Sequence, residues 1–376
     1  MTGQKSCRKG LIQNLSEKDV GGLKEMYMHL FDLKTRVEEP PLQKTDTAKS
    51  GSSWFGGKSK AAPPPAEAET LTYDQFEEEL MRDIMVDHPD NLLIRYLKAR
   101  KYDSKAAFIM IRDSVKFLHN QGFRDVIRTG ERELLQHPLE LGLFYFYSHD
   151  LEGNAILYLS PRVHKPKESP DEKFAKIIMY IMAQGYLLLG DKKITVVVDL
   201  KGLSLSNIEY ANVKFTIDIL ANNCPEVLSR VLMFNSPWIF SSIWSIVAKF
   251  LDPAVKDKIQ FCSQEELQKF IAADQLPISL GGANTHEYKY QLPSAAEVAT
   301  KPQDAEYERL IAERKELAYT FLSKSQEWVD GKSVEAERDA LAQKLSENFR
   351  ELSPYIWSPS YYQRNGFIQN FDEAHF

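Results

Sequence analysis

Two short apolar runs, KITVVVDL (Lys193–Leu200) and SRVLMFNS (Ser229–Ser236), constrain this chain more than any other feature. Each sets β-branched or large apolar residues side by side, without the in–out alternation of a strand that has one wet face. Such runs predict strands covered on both faces, as in parallel sheets. Between them SNIEYANVKFTIDILANN (Ser206–Asn223) carries apolar residues at helical spacing, with Ser206 as its cap. Parallel neighbours need a crossover of this kind. A second helix, PWIFSSIWSIVAKFLD (Pro237–Asp252), has proline in its first turn and leads to a strand in DKIQFC (Asp257–Cys262). A short helix, SQEELQKFI (Ser263–Ile271), follows. Upstream, LFYFYSH (Leu143–His149) and AILYLSP (Ala155–Pro161) flank a turn. The segment Asp171–Gly190 predicts a long helix. The class is α/β, a parallel or mixed sheet with helices packed on it.

The flanks are helical. Residues 16–36 carry Leu23, Met26, Tyr27, Leu30 and Leu33 in one stripe behind a Ser16–Asp19 capping pair. Residues 72–122 are all-helical, with Phe76, Leu80 and Ile84 on one face of the first helix. Thr300, Pro302 and Gln303 mark the start of another long helix, Gly331 breaks it, and a second runs to about Arg350. The aromatic tail Ser353–Phe371 suits either a cover on the sheet domain or a partner-binding segment. Glu38–Glu69 is rich in Pro, Ser, Gly and Lys and predicts a linker, with Trp54-Phe55 as a candidate docking point. The expected organisation is an N-terminal helix over 1–37 and a linker over 38–70. A helical lobe over 71–125, a sheet lobe over 135–290 and a C-terminal helical extension over 300–376 follow.

A net charge of −6 lacks the basic field that nucleic acid requires. Cys7, Cys224 and Cys262 form no Cys-x-x-Cys pair, which argues against structural zinc or a disulfide framework and for a reducing compartment. No stretch approaches the roughly 18 uncharged apolar residues of a membrane span. The polar, basic N-terminus lacks the apolar core of a signal peptide. The expectation is a cytoplasmic monomer with transient, peripheral membrane contact. GGKS (Gly56–Ser59) has Ser52 where a phosphate loop needs its first glycine. Ser148, His149 and Asp150 are sequence neighbours, which is not how a triad is assembled. His149 and His164 stand far from other metal-ligand types. No catalytic residue, metal or cofactor is expected, and the chain reads as a binder rather than an enzyme.

A co-linear set of motifs then becomes specific. ARKYD (Ala99–Asp103) closes a basic helix, and VVVDLKG (Val196–Gly202) ends a buried strand. Pro225-Glu226 precedes the next strand and NSPWIF (Asn235–Phe240) follows it. FLDPAVKDKI (Phe250–Ile259) joins helix to strand, and LPISLGG (Leu276–Gly282) closes the domain. In this order and spacing they resemble the CRAL-TRIO lipid-binding family, nearest its fungal phosphatidylinositol-transfer branch, over about residues 74–290. The resemblance implies a three-helix lobe and an α/β lobe whose five-stranded, mixed and mostly parallel sheet borders a deep apolar cavity gated by one helix. It implies binding and exchange of a lipid ligand without covalent chemistry.

Carried over residue by residue, the family's phosphoinositide-binding positions fall on Arg100, Lys101, Glu226 and Lys258, while one threonine of the pattern is Val255 here. A phosphodiester in a partly dry pocket needs a cation and hydrogen-bond donors, and Lys258 supplies both. Glu226 would accept from inositol hydroxyls and balance Lys258. Without the resemblance, Glu226 and Lys258 read as a structural ion pair or as two exposed charges near a sheet end, and Arg100 and Lys101 as a basic helix end that satisfies the dipole. The family's choline-holding positions fall on Ile194, Val196, Leu220 and Val227, all apolar. Phosphatidylcholine should therefore bind poorly, and a second cargo would be a sterol or a squalene-like lipid. Ile194, Val196 and Val198, on one strand face, form the expected cavity lining with Leu220, Val227, Leu232 and Phe234. The gate helix presents Trp238, Ile239, Phe240, Ile243, Trp244, Ile246, Val247, Phe250 and Leu251. Its other face, with Ser241, Ser242, Ser245 and Lys249, holds one charge, so the helix is either buried on both sides or alternates between protein and membrane. The expected function is intermembrane transfer of phosphatidylinositol. The alternative is a lipid-sensing module that presents its lipid to a partner such as a lipid kinase.

Overall fold

A computed structural model of the chain describes residues 7–35, 71–132, 134, 136–169, 171–189, 192–369, 371 and 376. The Trp54-Phe55 pair and the GGKS stretch lie outside them. Helices α1 (Glu17–Thr35), α2 (Tyr73–Asp83), α3 (Pro89–Ala99), α4 (Ser104–Asn120), α5 (Phe123–Thr129) and α6 (Gln136–Glu140) precede the sheet. The strands β1 (Phe144–His149), β2 (Ala155–Leu159), β3 (Ile194–Asp199), β4 (Leu228–Phe234) and β5 (Ile259–Cys262) lie side by side in chain order. β1 and β2 are antiparallel and the remaining neighbours parallel. The crossovers run through α7 (Asp171–Leu189), α8 (Tyr210–Asn223), and α9 (Phe240–Val247) with α10 (Pro253–Lys256). Right-handed crossovers that always step the same way place α7, α8 and α9 on one face. The chain after β5, beginning with α11 (Gln264–Leu267), closes the other face with Leu267, Ile271 and Leu276, all fully buried.

Helix starts follow the side chains that satisfy their free N–H groups. Ser204, not Ser206, forms a capping box with Asn207, and α8 begins only at Tyr210. Asp304, rather than Thr300, caps α12 (Ala305–Val329) by accepting from the Glu306 and Tyr307 N–H groups.

The separate N-terminal helix is corrected by the packing. Leu23, Met26, Tyr27 and Leu30 of α1 share one core with Leu80, Ile94 and Ile111 of α2, α3 and α4. Phe321 of α12 and Leu345 of α13 (Glu335–Ile356) belong to the same core. Arg338 of α13 fastens it. Its Nη2 meets Asp90 Oδ1 at 2.7 Å, Tyr27 Oη donates to the same oxygen at 2.6 Å, and its guanidinium lies 4.3 Å from the Trp328 ring centre. The tail crosses to the sheet domain through α14 (Tyr361–Arg364). There the Phe146 N–H donates to Tyr362 Oη at 2.7 Å. Glu131, buried at 1% exposure, accepts from Tyr180 Oη, Tyr290 Oη, the Tyr361 N–H and Arg364. The tail is thus a cover on the sheet domain.

Candidate functional site

Lys193, Glu226 and Lys258 each stand just ahead of a strand, namely β3, β4 and β5. Those strands are parallel neighbours, so their starts share one edge of the sheet. The Asn223–Val227 loop shapes that edge. The Asn223 carbonyl, at the end of α8, accepts from Tyr186 Oη at 2.7 Å and Tyr96 Oη at 3.3 Å. Ser114 Oγ donates to Asn223 Oδ1 at 2.7 Å. Hydroxyls from the helical lobe and α7 therefore hold the end of α8. A cavity of about 50 Å³, lined by Arg95, Tyr96, Ser114, Tyr186 and Asn223 among others, lies at this seam.

Pro225 follows, and Glu226 then takes φ +59°. A side-chain-bearing L residue enters that left-handed region at about 1–2 kcal/mol. Arg95, 2% exposed, donates from Nη1 to the Glu226 carbonyl at 3.2 Å and braces the turn. The turn brings Glu226 Oε2 to 3.3 Å from Lys193 Nζ. The Lys193 backbone N–H is itself held by Asn154 Oδ1 at 3.0 Å. Lys258 Nζ donates to the Leu228 carbonyl at 2.9 Å. Burial lowers the Lys258 pKa, Glu226 pulls the other way, and Lys193 adds to the fall. An ammonium with a lowered pKa is poorly solvated and gains from an anion.

Glu226 thus pairs directly with Lys193, and Lys258 bonds a carbonyl instead. Neither Lys193 nor Arg95 was singled out from the sequence. The usable signal was positional, because residues that precede parallel neighbouring strands must meet at one edge. Arg100 and Lys101 follow directly on the end of α3. Arg100 caps α3 with its N–H on the Tyr96 carbonyl, Lys101 sits at φ +53°, and both side chains are exposed. Neither bonds Glu226 or Lys258. The next residue, Tyr102, turns towards α1 and donates to Asp19 Oδ1 at 2.7 Å.

Register corrects the cavity lining. Val196 pairs with Val231 and Val198 with Met233, and these cluster with Phe240, Ile243 and Trp244 of α9. Leu232 and Phe234 alternate with them and pack on Leu267, Ile271 and Leu276 across the sheet. Leu220 is 41% exposed, because Ile219 takes the inward position of α8. Ile194 and Val198 are buried on the helix-covered face, and Val227 packs beside them half-buried. Val196, Val231 and Met233 keep accessible surface although they lie mid-sheet under helices. Close-packed layers would leave none, so apolar space remains between this face and α8 and α9.

The gate helix is shorter than Pro237–Asp252. Trp238, Ile239, Phe250 and Leu251 lie in flanking turns around α9. Ser241 and Ser245 donate back to the Trp238 and Ser242 carbonyls, at 3.1 and 2.8 Å, which competes with regular winding. Asp252 precedes a proline, takes extended backbone and caps α10 instead. Phe240 and Ile243 are buried, Trp244 and Val247 half-buried, while Trp238 is 88% and Ile246 36% exposed. The segment is therefore covered on its apolar side, and its open side mixes Trp238 and Ile246 with Ser241, Ser242, Ser245 and Lys249.

Residues 139–282 match the CRAL/TRIO domain, and residues 25–113 the CRAL/TRIO N-terminal domain. The chain is 31% identical to the phosphatidylinositol transfer protein CSR1 of Eremothecium gossypii, over 83% of this chain and 78% of that one. The chain belongs to the CRAL-TRIO family. Two CRAL-TRIO domain-containing proteins of Schizosaccharomyces pombe are 27% and 28% identical, each over 75% of this chain and over 66% and 83% of their own lengths. A crystal structure of Sfh5 is a looser match, with a TM-score of 0.40 and 20% identity over 46% of this chain and 64% of that one. The CRAL-TRIO N-terminal match begins inside α1, in keeping with the packing of that helix in the helical lobe. Among the described residues no helix is long and apolar enough to cross a membrane. Among them, no group of His, Cys, Asp and Glu is arranged to hold a metal ion.

Proposed function

We propose that this CRAL-TRIO chain binds phosphatidylinositol beneath α8 and α9 and transfers it between membranes, without covalent chemistry. The observation that supports this reading is the shared strand edge that carries Glu226 and Lys258, the two residues to which the resemblance assigns phosphoinositide recognition, in a chain similar to a phosphatidylinositol transfer protein. Lys258 supplies a charged N–H to the phosphodiester, and Glu226 accepts from ring hydroxyls. Acyl chains require the apolar space. Two chains of ~16 carbons, at ~0.8 kcal/mol per methylene, are worth about 20–25 kcal/mol, which an open groove cannot match. The segment Pro237–Asp252, held on one side and exposing Trp238, serves as the gate that opens at a transient membrane contact. The apolar Ile194, Val196 and Val227 favour a sterol or squalene-like lipid over phosphatidylcholine as second cargo. The lipid-presenting alternative places a partner such as a lipid kinase on the linker, which lies outside the described residues, and on the helical C-terminus, whose α12, α13 and α14 pack into the two lobes.

The test is vesicle-to-vesicle transfer. Lys258→Ala is expected to abolish phosphatidylinositol transfer while the fold survives. Unchanged transfer by the folded variant would sink the headgroup assignment.

A further inference from the structure

The headgroup edge carries two ammonium groups. Lys193 and Lys258 flank Glu226 on three consecutive strand starts, and Lys193 Nζ lies 3.3 Å from Glu226 Oε2. The pair is only partly covered, with side chains 35% and 31% exposed, so a ligand can reach both. We propose that Lys193 is a headgroup-binding residue that sets the charge of the lipid the site accepts. This rests on the phosphatidylinositol reading above and deepens it.

In the structure each polar group has an internal partner, Lys193 for Glu226 and the Leu228 carbonyl for Lys258. A headgroup that offers both hydroxyls and a phosphate exchanges these contacts. Its hydroxyls donate to Glu226, and Lys193 is released to join Lys258 on the phosphate oxygens. Lys258, with three N–H donors, keeps the Leu228 carbonyl while it turns another to the phosphate, so no hydrogen-bonding group is stranded, as partial burial requires.

Charge points the same way. Two lysines and one glutamate leave one positive charge unmatched. Of the further charged groups that touch or act on these three, Arg95 and Asp252 have opposite signs, and the neighbouring Arg230 is paired with Glu152. One phosphodiester carries one negative charge and neutralises the edge. A zwitterionic headgroup brings its own cation with its phosphate and leaves the net positive charge of the edge in place, which is unfavourable. Removing Lys193 makes the edge neutral and erases that discrimination.

The experiment uses the full chain and vesicles containing either phosphatidylinositol or phosphatidylcholine. It compares Lys193→Gln, Lys193→Arg and Lys258→Ala, each with a thermal melt. Loss of one charge-assisted contact predicts about a tenfold fall in phosphatidylinositol transfer for Lys193→Gln. Phosphatidylcholine transfer should be unchanged or raised, and Lys193→Arg should keep the native preference. Lys193→Met, neutral and of similar length, gives the same readout should Lys193→Gln fail to fold. A native lipid ratio in folded Lys193→Gln, alongside loss of transfer in Lys258→Ala, overturns this proposal and leaves the phosphatidylinositol reading standing. Equal loss of both lipids in Lys193→Gln and Lys193→Arg also overturns it, since the role is then structural. Native transfer in Lys258→Ala removes the reading itself and this inference with it.

Discussion

Replacing Arg95 by methionine separates the bracing of the Glu226 turn from the stability of the chain. Glu226 at φ +59° is disfavoured by about 1–2 kcal/mol. The Arg95 hydrogen bond to its carbonyl has a charged donor and offsets this by about 1.5–3 kcal/mol. The Lys193 pair, with both partners about a third exposed, adds at most about 1 kcal/mol. With arginine present the turn is therefore held left-handed. With methionine the remaining contact no longer outweighs the strain, and the binding-competent turn becomes a minority. A drop of that size in the competent fraction weakens binding about three- to tenfold. Methionine fills much of the same space and removes a buried charge, so global stability should move by no more than about 1 kcal/mol. Calorimetric titration with a short-chain phosphatidylinositol measures the affinity, and hydrogen exchange at Val227 and Leu228 reports the turn. Weaker binding, faster local exchange and a near-native melt are expected. Native affinity with native exchange would refute the bracing argument. So would a loss of binding that appears only with global unfolding.

Two further substitutions probe the frame around the site. Arg338→Met leaves Asp90 buried without its cation and should cost about 3–5 kcal/mol in denaturant unfolding, with much of it regained in Asp90→Asn/Arg338→Met. Burial raises the Asp90 pKa, but Arg338 and His88 outweigh it, so the folded value lies below the unfolded one. The carboxylate's contribution is thus present above the unfolded pKa and lost as pH falls through the folded one. Acid unfolding should accordingly begin at higher pH in Arg338→Met, which a pH series of melts would reveal. Val196→Phe tests the space under α8 and α9. If that space is real the larger ring is tolerated and co-purifying lipid falls in native mass spectrometry, whereas tight packing would destabilise the variant by about 1–3 kcal/mol.

Much of the sheet was legible because β-branched runs such as Ile194–Val198 have few other ways to fold. The same property hid the facing of Leu232 and Phe234. A run that is apolar throughout has no alternation to read, and only the pairing of Val196 with Val231 assigns its two sides. The stripe on α1 named a buried face but not its partners, which come from α3, α4, α12 and α13 across long sequence separations. Arg100 and Lys101 show a related limit of spacing: a basic helix end has a direction in space that its spacing does not encode. Lys193 carries no local pattern at all. It becomes visible only once β3, β4 and β5 are known to be parallel neighbours.

On the proposed reading, affinity and choice are supplied by different parts of this architecture. Two diacyl lipids with the same chains gain the same burial beneath α8 and α9, however large that term is, so it cancels between them. What distinguishes them is confined to the Lys193, Glu226 and Lys258 edge, where each charged hydrogen bond is worth about 1.5–3 kcal/mol. A few such contacts suffice for selection of a hundredfold or more, even though they are a small part of the total binding. The edge therefore has to be positioned more accurately than the apolar space has to be shaped. The brace is in keeping with that demand: Arg95, Tyr96 and Ser114 hold the Asn223–Val227 loop from helices that also pack against α1 and α12. On the proposed reading, the helical lobe thus acts on selectivity through the loop it holds.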